Sequence, residues 1–117
     1  MDNRDITILK HMLKYCNEIE KTIHRFGDNI EKFKNDNDYK DSLSMKIFQI
    51  GELANHLTDE YLEKTKNQLN WNAIRGMRNR FAHGYGKMDS TKIFYTAIED
   101  IPVIKKFIEQ ELVDKDK

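Results

Sequence analysis

The chain is predicted to be all-α, an antiparallel bundle of four main helices with one or two short ones between them. Three observations carry that prediction. Apolar residues recur at steps of three and four along much of the chain, no segment keeps the strict alternation of a strand, and a composition of 34% charged residues with one Pro and five Gly reads as helical and highly soluble.

The elements follow in order. Ile6, Leu9, Leu13, Cys16, Ile19, Ile23 and Phe26 fall on one side of a long first helix, with His11, Lys14, Glu18 and Lys21 turned elsewhere. Gly27 ends it. Asp28, followed three residues later by Glu31, has the character of a capping box, so a short helix through Ile30 and Phe33 precedes the polar run Asn35-Asp36-Asn37-Asp38. From Tyr39 a second long helix runs through Leu43, Ile47, Ile50, Ala54 and Leu57, and Gly51 inside it signals close approach of a neighbouring backbone. Thr58-Asp59-Glu60 marks a turn or a new cap, and residues 61–69, weakly patterned, are helix or loop. Trp71, Ile74, Met77 or Arg78, and Phe81 then define a shorter helix stopped by Gly84 and Gly86. Asp89 or Ser90 caps the last helix, whose buried side reads Ile93, Phe94, Ala97, Ile98, Ile101, Ile104 and Ile108. Pro102 inside that helix removes one backbone hydrogen bond and should bend it.

A length of 117 residues suits one domain, residues 1–117, with residues 113–117 expected to fray. A core of that size buries a modest fraction of the chain, and a partner subunit would help. The single cysteine, Cys16, cannot form an internal disulfide and lies in an apolar stripe, where a small buried thiol is the expected role. Behind Met1-Asp2-Asn3-Arg4-Asp5 stands no apolar run of signal-peptide length, and none elsewhere reaches membrane-spanning length, so a cytoplasmic protein with no membrane partner is expected.

The formal net charge is zero, but it is unevenly spread. Residues 64–87 hold six Lys/Arg and no Asp or Glu, which leaves a net −6 on the rest of the chain. One electropositive face on an otherwise acidic body is the expected footprint of a local polyanion site.

Within that stretch, Arg78, His83 and Tyr85 fall in eight residues, Arg78-Asn79-Arg80-Phe81-Ala82-His83-Gly84-Tyr85. A guanidinium grips two phosphate oxygens at once and stays charged at any working pH. An imidazole can both take and give a proton near neutrality. Asn79 and His83 are one turn apart on a helix, and Arg78 is rotated about 140° from His83, which a long side chain and a helix end at Gly84 can bridge. Cleaving RNA without a metal needs a base for the 2′ hydroxyl, an acid for the departing 5′ oxygen, and positive charge on the transition state. One protomer supplies one histidine here, so two copies meeting with their motif helices side by side would supply what the chemistry needs, and a symmetric homodimer is expected. The remaining histidines, His11, His24 and His56, are scattered without metal-ligand spacing, and no metal or other cofactor is expected. Gly84-Tyr85-Gly86 is too short to cradle a pyrophosphate.

The motif resembles the RX4HXY signature of HepT-like proteins in the HEPN superfamily. Ile50-Gly51-Glu52-Leu53-Ala54 is similar to that family's IGE segment. Trp71-Asn72-Ala73-Ile74-Arg75-Gly76-Met77-Arg78-Asn79 resembles its tryptophan-led approach to the motif, and Asp100-Ile101-Pro102 its last-helix segment. The resemblance spans roughly residues 5–110, with Met88 standing where the family often has isoleucine before Asp89. It implies a HEPN-type helical homodimer acting as the toxin of a type VII-like toxin-antitoxin system. The implied activity is metal-independent endoribonuclease cleavage, with Arg78 and His83 catalytic. The implied partner is a MntA-type nucleotidyltransferase antitoxin that transfers AMP from ATP to Tyr85 and so silences the toxin. Arg75, Asn79, Arg80 and Lys87 would support RNA binding, as would Lys64 and Lys66 if the basic run forms one surface. Glu52 either holds a motif cation in place or merely caps or solvates its helix. Trp71 and Phe81 are explained by core packing. The alternative is a noncatalytic helical binding module that presents Tyr85 to a nucleotidyltransferase, and a third reading is a structural subunit whose motif holds the dimer.

Overall fold

A computed structural model of the chain describes the backbone of residues 1–84 and 89–114 and the side chains of residues 1–79 and 89–114. Helix α1, Asn3–Phe26, opens with Asp2 accepting from the Arg4 N–H. Its buried positions are Asp5, Ile8, Leu9, Met12, Cys16, Ile19 and Thr22. Leu13, Ile23 and Phe26 sit at the margin, so the buried face is rotated toward Ile8 and Met12 relative to the expected stripe. Both α3 and α7 pack on α1, and two neighbours cover a wider arc than a single apolar line describes.

Gly27 closes α1 with φ 103°, a backbone region that a side chain would strain, and its N–H donates to the Ile23 carbonyl at 2.7 Å. The expected capping box then shifts by one residue. A tight turn closed by the Asn29 N–H on the Gly27 carbonyl (2.9 Å) places Asp28 at its middle, and Asn29 caps α2, Ile30–Asn35, through Lys32. The polar run 35–38 contracts to one residue between helices, because the Asp36 carboxylate caps α3, Asn37–Ala54, by accepting from the Tyr39 N–H. Thr58 caps α4, Asp59–Thr65, so the weakly patterned segment is helical in its first half. Helix α5 is Trp71–Gly84, with the Asn70 side chain accepting from the Ala73 N–H at 3.1 Å.

The last rod is α6, Ser90–Tyr95, capped by Asp89, then one wide π turn, Thr96–Asp100, then α7, Ile101–Asp114. The Ile101 N–H reaches back five residues to the Thr96 carbonyl. Pro102 follows at once. Its ring would collide with the carbonyl four residues earlier in a regular α-turn, and a widened turn moves that carbonyl aside, so the helix absorbs the proline through the π turn. Val113 and Asp114 remain helical, against the expected fraying there, with Gln110 donating to the Asp114 carboxylate at 3.0 Å.

Cross-helix bonds give the directions. The Asp5 carboxylate at the start of α1 accepts from the Thr58 N–H (2.8 Å) and hydroxyl (2.6 Å) just beyond α3, so these helices run antiparallel. Lys105 of α7 pairs with Glu20 of α1 at 2.8 Å, a bond that holds the Lys105 ammonium above its ordinary range. The core between them is Leu9, Met12, Cys16, Ile19, Leu43, Ile47, Ile50, Ile101, Ile104 and Ile108. Each such side chain contributes roughly 1.5–3 kcal/mol on full burial. At one end Tyr39 stacks on Phe26 (4.8 Å) and meets Phe33 edge-on (5.0 Å), its hydroxyl donating to the Gly27 carbonyl at 3.0 Å. Among the described residues there is no strand, and no helix is long and apolar enough to cross a membrane.

Candidate functional site

The site is built where α3 crosses α5, and Gly51 sets the distance. A Cβ at Gly51 would lie 2.9 Å from the Arg78 backbone nitrogen, 3.0 Å from the Ile74 carbonyl oxygen and 3.3 Å from the Met77 Cβ. The helices therefore touch backbone to backbone, as an interior glycine suggested. Helix α5 is anchored at its start by Trp71, which is buried against Tyr61 and Phe107 and donates its indole N–H to the Thr65 hydroxyl at 2.8 Å.

With the backbones that close, side chains flanking Gly51 on α3 reach those of α5. Arg78 Nε donates to Glu52 Oε2 at 2.9 Å, and one of its terminal nitrogens donates to Asn79 Oδ1 at 3.2 Å. Three residues beyond Glu52, Asn55 Oδ1 accepts from Arg75 Nε at 3.0 Å, while the Asn55 amide nitrogen donates to the Gly51 carbonyl at 3.1 Å. Later residues of α3 thus pair with earlier residues of α5, so the two run antiparallel. His56 Nε2 stands 3.7 Å from the second oxygen of Glu52. The Arg78 side chain remains 42% exposed, so a carboxylate orients the guanidinium without burying it.

Of the residues singled out from sequence, Glu52, Arg75, Arg78 and Asn79 come together here. Glu52 takes the cation-holding role. The side chains of Arg80, Phe81 and His83, and all of Tyr85, Gly86 and Lys87, lie outside the described residues; the backbone of residues 80–84 continues α5. Asn55 and His56 belong to the cluster and went unread. The available signal was their spacing, three and four residues after Glu52, in the turn that closes α3.

Among the described residues of the basic run, 64–79, the cations do not fold into one face. Lys64 lines a cleft with Asp2, Asp5, Glu60, Glu111 and Asp114, where Glu111 accepts from the buried Tyr61 hydroxyl. Lys66 pairs with Glu63 and shares a shallow groove with Arg75, Asp59 and Glu63. Glu52 brings an acid from another helix to Arg78 itself. Helix periodicity scatters neighbours in sequence around the axis, so a linear charge count overstates the local field. Among the described residues no three His, Cys, Asp or Glu side chains cluster as a metal site would.

An all-α bundle with an arginine–carboxylate pair at the crossing of its second long helix and its motif helix is the class defined by this geometry. A family profile described as Ribonuclease HepT-like matches residues 12–111, and the chain belongs to that family. A protein of Caldanaerobacter subterraneus subsp. tengcongensis, named as a candidate RNase, is 28% identical over 109 residues, covering 93% of this chain and 94% of that protein. A protein of Methanocaldococcus jannaschii with the same kind of name is 28% identical over 92 residues, 71% of this chain and 84% of that protein. No solved structure shows a significant match to the chain.

Proposed function

We propose that the protein is a metal-independent endoribonuclease, the toxin of a type VII-like toxin-antitoxin pair, cutting RNA at a cleft between two copies of the chain. The observation that carries this reading is Arg78, a guanidinium fixed at Nε by Glu52 and still open to solvent. A cation pre-oriented in this way can stabilise the charge that develops on a phosphate during cleavage without reorganising at that moment. His83, five residues on, supplies the proton carrier. In the composite site, one His83 takes the proton of the 2′ hydroxyl, which attacks phosphorus, and the other gives a proton to the departing 5′ oxygen. Arg75 and Asn79 extend the polar surface, and Arg80 and Lys87 add charge along the same segment.

Silencing follows from the same arrangement. A MntA-type nucleotidyltransferase partner would bind ATP, the Tyr85 phenol oxygen would attack the α-phosphorus, and pyrophosphate would leave. The adenylyl group adds a negative phosphodiester and a bulky base beside the cations that grip RNA, which fills the cleft and offsets its field.

The test uses homogeneous, unmodified protein with defined RNAs in chelator, first alone and then after the nucleotidyltransferase and ATP. Cleavage by wild type, its loss in Arg78→Ala and His83→Ala with the dimer intact by ultracentrifugation, and its loss on a mass gain of one or more AMP at Tyr85 are the expected results. An inert unmodified dimer that still binds the nucleotidyltransferase tightly would overturn catalysis and leave a module that only presents Tyr85.

A further inference from the structure

We propose that His56 is a positioning residue that sets how much of the Arg78 charge is available to a phosphate, acting through Glu52. This rests on the reading of Arg78 as the phosphate-binding cation. Glu52 has two carboxylate oxygens, one accepting from Arg78 Nε at 2.9 Å and the other 3.7 Å from His56 Nε2. With a neutral imidazole, the whole carboxylate charge opposes Arg78. An imidazolium draws on the same carboxylate and leaves the three groups with a net charge of +1, a stronger field for an RNA phosphate. His56 follows Glu52 by four residues, in the turn that closes α3, and so lies on the same side of the chain end.

Among the described residues, Glu52 is the carboxylate that pairs with His56. On α5, Arg78 faces it across Glu52, and Arg75 is engaged by Asn55. On α1, the Asp5 carboxylate is taken by Thr58, and Asp59 opens α4 beyond. The His56 side chain is 59% exposed and open to solvent.

The experiment compares wild type, His56→Gln and His56→Lys between about pH 5 and 8, the range over which an imidazole changes charge. One readout is the NMR resonance of Arg78 Nε–H, which needs no activity. The other is the affinity for a short, uncleavable 2′-O-methyl RNA. In wild type the Arg78 resonance should move with pH and affinity should weaken by about two- to fivefold on raising pH, the range of an exposed charge pair. The glutamine variant should lose the His56-dependent part of both responses. The lysine variant should bind over most of the range as wild type does at the acid end. An Arg78 resonance that ignores pH, or moves identically in His56→Gln, would overturn the proposal while leaving the cleavage assay above to judge the ribonuclease reading separately.

Discussion

Arg78 and Glu52 lie 26 residues apart in sequence, yet the guanidinium Nε and a carboxylate oxygen meet at 2.9 Å across the α3–α5 crossing. The contact uses the inner edge of the guanidinium. Both side chains are over a third exposed, so the pair matters for orientation more than for stability.

Substituting Glu52→Gln keeps the shape and removes the charge that aims Arg78. RNA cleavage should fall by on the order of 10- to 100-fold, the penalty of a misaligned cation, while stability changes by less than about 1 kcal/mol. Turnover assays beside urea denaturation check this, and an unfolding midpoint that collapses with activity would show a structural role instead.

Gly51→Ala forces a methyl group into the Arg78 backbone nitrogen and the Ile74 carbonyl, neither of which can swing away. A destabilisation of about 1–3 kcal/mol is expected, together with reduced cleavage, since α5 must shift and carry Arg78 with it. Gly76→Ala is the control: nothing lies within 4 Å of its added methyl, and it should be neutral or slightly stabilising.

Thr65 is buried, donating to the Tyr61 carbonyl and accepting from the Trp71 indole, both at 2.8 Å. Thr65→Val leaves the indole N–H buried without that acceptor and should remove about 1–3 kcal/mol. Trp71 is the one tryptophan, so its fluorescence reports the change directly.

Alkaline stability carries a sign that can be checked. Burial, and then the neighbouring Glu20 carboxylate, pushes the Cys16 thiol from 9.0 up to about 12. Burial and the bond to Glu111 also raise the Tyr61 phenol. Above pH 9 the unfolded chain releases the thiol proton while the folded chain keeps it. The unfolded state then binds fewer protons, and stability falls with rising pH, by at most about 1.4 kcal/mol per unit from this one group. Cys16→Ala should flatten the slope of unfolding free energy between pH 9 and 12; an unchanged slope would refute the assignment. Below pH 9 the thiol should resist alkylation until the protein unfolds.

The helices were legible because burial repeats at the helical period, and Gly51 was legible because an interior glycine weakens a helix unless something must come close. Boundaries moved by a residue where caps compete: Asn29 displaced Asp28 once a turn at Gly27 had engaged its neighbours. The π turn before Pro102 was read as a bend because the sequence names the missing N–H and not the way neighbouring turns relax.

By itself, the order of residues determined an all-helical chain, the strip of α5 that bears Arg75, Arg78 and Asn79, and the apolar faces that must be covered, since each depends on spacing within a few turns. Tertiary structure alone decided that Glu52 holds Arg78, that Asn55 holds Arg75, that His56 joins them, and that Lys64 belongs to a different, acidic cleft. Those relationships arise where two helices cross. A crossing is set by which faces pack and how closely, here at a glycine against a backbone, and no local pattern encodes it.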